Sequence, residues 1–162
     1  FGGRNLGRKT WERLIAAVAA DFPDLLLVGL GSETGAYRGL CPGVRGYRDL
    51  VGYDDRVTLD LLVALCNTRR AVAAAGSQSG TVKITLLSGV PTFIVGHERE
   101  RHTVLENWAG TPAGFYTAGS VLGPRLPFDE KANLGGYRIW SHARLEKALL
   151  AFLREHCAPH TS

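Results

Sequence analysis

The chain predicts an α/β fold, a Rossmann-like parallel sheet flanked by helices, and three observations carry that prediction. Short continuous apolar runs at 25–29, 71–76 and 90–96 alternate with segments whose apolar residues fall at helical spacing. The repeat is about 20–30 residues, a length that suits parallel strands joined by right-handed crossovers. Glycine occurs 20 times, often at the ends of the apolar runs, where tight strand-to-helix turns need it.

Each element follows from its residues. Trp11, Leu14, Ile15, Val18 and Ala19 define a helix over 10–21, with Thr10 as candidate N-cap and Phe22-Pro23-Asp24 as its stop. The run 25–29 lies between Pro23 and Gly29 and reads as a strand buried on both faces. A loop with room for a short helix follows, and 46–50 reads as a further short strand or loop. Residues 58–68 form a second amphipathic helix with Thr58 as candidate N-cap, and AVAAAG at 71–76 is the next strand. SQSGTVKITLLSG reads as a helix opened by a small polar turn and closed by Gly89, and VPTFIVG at 90–96 is another buried strand. Residues 97–140 read mainly as loops with a short helix at 104–108. The last helix covers 141–156, with Ser141 as N-cap and Leu145, Leu149, Phe152 and Leu153 on its apolar face.

The bulk numbers describe an ordinary globular domain. The 162 residues suffice for one domain with its own core, and 45% hydrophobic with 21% charged residues excludes disorder. The net charge of +4 comes from 19 basic and 15 acidic residues without a like-charge block. It suits a small anionic ligand, and no interleaved basic and aromatic stretch points to nucleic acid. No run approaches the roughly 18 apolar residues of a membrane span. Cys41, Cys66 and Cys157 are few and widely spaced, which indicates neither a zinc site nor a disulfide framework and suits a reducing, cytoplasmic setting. Cys66 reads as a small buried hydrophobe. Phe1 begins directly in FGGRN, which looks like the end of a strand, and there is no Met. We therefore expect 1–162 to be one domain cut from a longer, two-domain protein.

Ligands in such folds bind beyond the carboxyl ends of the strands, so the segments after the strands are the candidate site. Strongest is GSQSGT, where Ser77, Gln78, Ser79, Gly80 and Thr81 precede a helix and Lys83 lies within it. A small-residue turn leaves helix N-terminal amides open, the dipole favours an anion there, and the hydroxyls add donors, which together suit a diphosphate. The plain alternative is helix capping. FGGRNLGRKT places Arg4, Arg8 and Lys9 at another helix start, where cations oppose the dipole unless an anion is bound. Glu33, after the 25–29 strand, is placed to accept ribose hydroxyls. His97 and Glu98 follow the 90–96 strand and suit sugar hydroxyls or phosphate. His97 and His102 with the acids between them match no standard zinc spacing, so no metal and no resident cofactor is expected.

The block AVAAAGSQSGTVKITLLSGVPTFIVG resembles the donor-binding domain of B-fold glycosyltransferases, most closely the lipopolysaccharide heptosyltransferase group. Members carry an Asp-Ser/Thr-Gly turn, a His three residues later and a Gly-x-Pro-Thr. Here Gln78, Ser79 and Gly80 occupy the turn, Lys83 stands in the His position, and Gly89, Val90, Pro91 and Thr92 match the last element. The Gly- and Arg-containing turn before Lys9-Thr10-Trp11 is similar to the family's basic turn ahead of a Trp-containing helix. The likeness covers residues 1–96. It implies a nucleotide-diphosphate sugar bound as donor by Arg4, Lys9, Ser79, Gly80 and Lys83, with helix ends and basic side chains neutralising the diphosphate. It also implies a partner acceptor domain, N-terminal to this one, that supplies the catalytic base. The expected location is cytoplasmic or peripheral at the inner membrane face. Two other readings stay open on the residues: a 2-epimerase-like sugar-nucleotide domain using His97, Glu98 and Glu33, and a non-catalytic α/β binding module.

Overall fold

The computed structural model describes residues 5–32, 36–101, 105, 110–120 and 137–157. Their order is α1 (Arg8–Asp21), β1 (Leu27–Gly29), β2 (Tyr47–Asp49), α2 (Asp55–Asn67), β3 (Ala74–Ser77), α3 (Gly80–Leu87), β4 (Thr92–Gly96), a 3-10 turn (Glu98–Glu100), β5 (Ala113–Thr117), β6 (Gly119–Ser120), β7 (Tyr137–Arg138) and α4 (His142–His156). β3, β4 and β5 form a parallel sheet in that order, and β1 pairs in parallel with β2. Parallel strands with helical crossovers make this the expected Rossmann-like α/β fold. β6 and β7 add a two-residue antiparallel pair.

β4 organises the packing because all five of its residues are buried. Alternate side chains leave a strand on opposite faces. Phe93 and Val95 accordingly join the cluster of Leu14, Val18, Leu145, Leu149, Phe152 and Leu153 from α1 and α4. Ile94 points the other way, onto Val82 and Leu86 of α3. α2 packs beside α3 through Leu62, Cys66, Val90 and Ile84. The sheet thus separates an α1/α4 layer from an α2/α3 layer. Thr92, fully buried, shares a hydrogen bond with Thr85 of α3 at 2.8 Å, so its hydroxyl is satisfied where water cannot reach.

Two helix starts differ from the sequence reading. α1 begins two residues earlier, with Gly7 at its N-cap and no side-chain cap. Thr10 lies inside the helix, buried, with its hydroxyl 3.1 Å from His142 Nε2 of α4. α2 begins at Asp55 because the Asp54 carboxylate accepts from Val57 N at 2.9 Å. Thr58, read as that cap, is instead buried one turn in and donates to Tyr53 O. Its polar first turn hides the true start from an apolar-periodicity argument. α4 matches its expectation: the Ser141 hydroxyl accepts from Arg144 N at 3.3 Å, and Leu145, Leu149, Phe152 and Leu153 are buried.

The strands carry corrections of their own. β1 is half-buried rather than buried on both faces. Leu26, just before it, is 64% exposed, and its neighbour β2 presents exposed Arg48 and Asp49. β5 is a strand within the stretch read mainly as loops. Gly114 explains its place: a Cβ there would meet Phe93 and Phe152, both at 2.7 Å, so only glycine lets β5 lie between β4 and α4. The short helix expected at 104–108 and the start of the chain at 1–4 fall outside the described residues, wholly or nearly so.

Candidate functional site

The carboxyl ends of β3 and β4 and the start of α1 meet on one rim. Ser77, the last residue of β3, accepts from Leu6 N at 3.2 Å and donates to Asn5 Oδ1 at 3.1 Å. Asn5 Oδ1 also accepts from Trp11 Nε1 of α1 at 3.2 Å. The turn after β3 is therefore tied to the segment that opens α1. Ser77 acts as a brace between them.

Gln78 braces the other side. It is 6% exposed, its N–H donates to Val95 O at 2.8 Å, and its Oε1 accepts from His97 N at 3.4 Å. A buried amide engaged in this way holds the β3 turn against the end of β4. Gly96 makes room for it, since a Cβ there would overlap Gln78 Oε1.

Beyond these braces the turn opens to solvent. Ser79 is the extended N-cap residue of α3, and its side chain makes no cap hydrogen bond. Ser79, Gly80 and Thr81 are exposed, as is Lys83 one turn along. No acidic residue lies in the first turn of α3. The helix thus presents uncapped N–H groups and its positive end outward. Lys83 is the fourth residue of α3, and helical side chains lean toward the N-terminus.

The remaining candidates divide. Lys9 is exposed in the first turn of α1, on the same rim, and makes no hydrogen bond or ion pair among the described residues. Arg8 is engaged in structure: it donates to Arg38 O at 2.7 Å, lies over the Tyr37 ring and pairs with Glu12 at 3.6 Å. Glu98 is exposed and engaged, accepting from the Thr117 hydroxyl at the end of β5 and pairing with Arg101. His97 is half-buried, and its Nδ1 is buried without a hydrogen-bond partner among the described residues. Arg4 and Glu33 lie outside the described residues, as does His102.

A cleft of about 250 Å³ adjoins the open turn. Gly80, Thr81 and Ile84 of α3 form one wall, Asp55, Thr58 and Leu59 of α2 the other, and Ser32 closes the end beyond β1. Sequence reasoning missed Ser32, Asp55 and Leu59, which come from separate stretches. The available signal was the Asp54-Asp55 pair, since one carboxylate caps α2 and the second is left over.

Among the described residues no three His, Cys, Asp or Glu gather as a metal site, and no helix is long and apolar enough to cross a membrane. All three cysteines are free, and burial raises the thiol pKa of Cys41 and of Cys157. Tyr47 is buried over Gly29 with no partner for its hydroxyl among the described residues. Burial above all, then Asp49 and Cys41, pushes its pKa up to about 12.

Compared with protein-family models, with curated proteins and with solved structures, the chain matches none.

Proposed function

We propose that this domain binds a nucleotide-diphosphate sugar and serves as the donor-binding half of a glycosyltransferase. One observation carries the reading: the first turn of α3 is uncapped and exposed, on the rim shared with the start of α1 and beside a cleft. The amides of that turn, the hydroxyls of Ser79 and Thr81 and the ammonium groups of Lys83 and Lys9 suit a diphosphate. Ser77 and Gln78 serve as positioning residues beneath it.

In transfer, an acceptor hydroxyl attacks the anomeric carbon, the bond from that carbon to the diphosphate oxygen breaks, and the diphosphate leaves with the electron pair. Negative charge grows on the leaving group in the transition state, where fixed amides and cations stabilise it. The proton of the acceptor hydroxyl goes to a base, which this reading assigns to an acceptor-binding domain. The reading sets the work in the cytoplasm, peripheral at the inner membrane face where the acceptor is a glycolipid.

The test is calorimetry of the domain with inorganic pyrophosphate and with UDP, GDP, ADP and CDP. Binding of pyrophosphate and of at least one nucleotide is expected. Lys83→Ala should weaken both by about tenfold, in line with one lost charge-assisted hydrogen bond, and leave nucleoside binding unchanged. A flat response to all five compounds would overturn the reading in favour of a non-catalytic α/β module.

A further inference from the structure

The outer side of α2 is apolar where a solvent-facing helix ordinarily carries charge. Thr58, Leu62 and Cys66 turn inward and are buried, yet Val57, Leu59 and Val63 are exposed. From Val57 to Thr68 the one charged residue is Asp60. α3 continues this surface. Ile84 lines the same cleft as Leu59, and Leu87, one turn past Ile84, is 71% exposed. Leu59 and Val63 lie one turn apart on α2, as Ile84 and Leu87 do on α3, so both helices of this layer bring apolar side chains to its outer side.

The charges at the two ends of α2 have opposite sign. Asp55 stands at its start, and Arg69 and Arg70 follow its end. All three are exposed, and none of these side chains has an ion pair or hydrogen bond among the described residues. Each charge suits the dipole of its own helix. The dipole does not account for the backbone of Arg69, which lies just past the C-cap Thr68 at φ 57°, in the left-handed region where glycine is the ordinary occupant. The Thr68 hydroxyl holds the segment there, donating to Leu65 O at 2.7 Å and accepting from Arg70 N at 3.2 Å. A helix that is apolar outside, negative at its start and positive at its end is complementary to a copy of itself run the other way. We infer that this face of α2 and α3 binds a second copy of the chain, with the two α2 helices antiparallel about a twofold axis. Setting Leu59 on Val63 of the second copy puts Asp55 opposite its Asn67, two residues short of its Arg69. The axis repeats each contact, so both ends are paired at once. The pairing does not depend on what binds the rim.

The experiment is sedimentation equilibrium of the 162-residue chain across the micromolar range, with circular dichroism of every variant to verify the fold. The chain should dimerise. Val63→Glu sets a carboxylate on an apolar contact in both copies and should weaken the dimer about a hundredfold. Two charge variants decide the orientation: Asp55→Arg, and Arg69→Asp combined with Arg70→Asp. Alone, each meets like charge at both ends of the twofold and should self-associate about tenfold more weakly than wild type at low salt. Mixed, the two restore opposite charge at both ends, so a one-to-one heterodimer should form with the affinity of the wild-type dimer. A chain that stays monomeric, a dimer indifferent to Val63→Glu, or charge variants that do not prefer one another would each overturn the inference. A monomer that co-sediments with phosphatidylglycerol vesicles, and no longer does so as Val63→Glu, overturns it in favour of a membrane surface on this face.

Discussion

Gly96→Ala is the substitution that most directly tests whether the fold sets the turn. Gly96 is the buried last residue of β4, and its missing side chain leaves the space that Gln78 Oε1 occupies. An added methyl would overlap that oxygen and approach Phe115 Cζ to 2.8 Å, well inside ordinary van der Waals distance. Overpacking of this kind costs about 1–3 kcal/mol, and loss of the Gln78–His97 bond adds about 1 kcal/mol. At the lower end of that sum, a loss of about 2 kcal/mol lowers Tm of a domain of this size by roughly 4–8 °C. It also moves the urea midpoint down by about 1 M. Both are read by circular dichroism. Because Gln78 is the colliding group, Gln78→Ala and Gly96→Ala should combine to less than the sum of their separate effects. The folded single variant should also lose pyrophosphate affinity, since Gln78 carries the backbone of the turn. Unchanged stability, or strict additivity of the two, would refute the account of Gln78 as the brace between β3 and β4.

Two further outcomes follow from buried or capping groups. Tyr47 keeps its proton to about pH 12 in the fold against 10.0 when unfolded, so the folded state holds the proton more tightly between those values. Stability is then full below pH 10 and falls as pH rises toward 12; Tyr47→Phe should flatten that alkaline loss and, by removing an unpartnered hydroxyl, raise stability by about 1 kcal/mol in urea titrations. Asp54→Ala should cost about 1 kcal/mol of stability through the lost α2 cap, whereas Asp55→Ala should not lower the urea midpoint comparably.

How much of this was legible depends on where each signal sits. β4 and α4 were readable because their patterns are local: a run of buried residues in one, a capped amphipathic face in the other. β5 was hidden because Ala-Gly-Phe-Tyr-Thr neither alternates nor forms a continuous apolar run, and Gly114 argues locally against a strand. β2 was only half legible because Tyr-Arg-Asp has one inward residue, Tyr47. The starts of α1 and α2 slipped because Gly7 and Asp54 precede polar first turns. In the site, the open turn at 79–81 was visible in its composition. The bracing roles of Ser77 and Gln78 were not, since their partners Leu6 and His97 lie far along the chain. The cleft joins Ser32, Asp55 and Thr81, a grouping that only the tertiary fold creates.

The charge arrangement at the rim also separates its parts. α2 meets its own positive end with two carboxylates, Asp54 and Asp55. α1 and α3 have no acidic residue in their first turns and no side-chain cap. In α1 the first turn instead carries Arg8 and Lys9, which raise the energy of a helix end that is already positive. Arg8 is relieved by Glu12 and by the carbonyls of Arg38 and Gly39. Lys9 has no such relief among the described residues, so an anion near it lowers a cost the fold otherwise carries. The ends of α1 and α3 are joined through Leu6 and Ser77, whereas Asp55 of α2 stands across the cleft from Gly80 and Thr81.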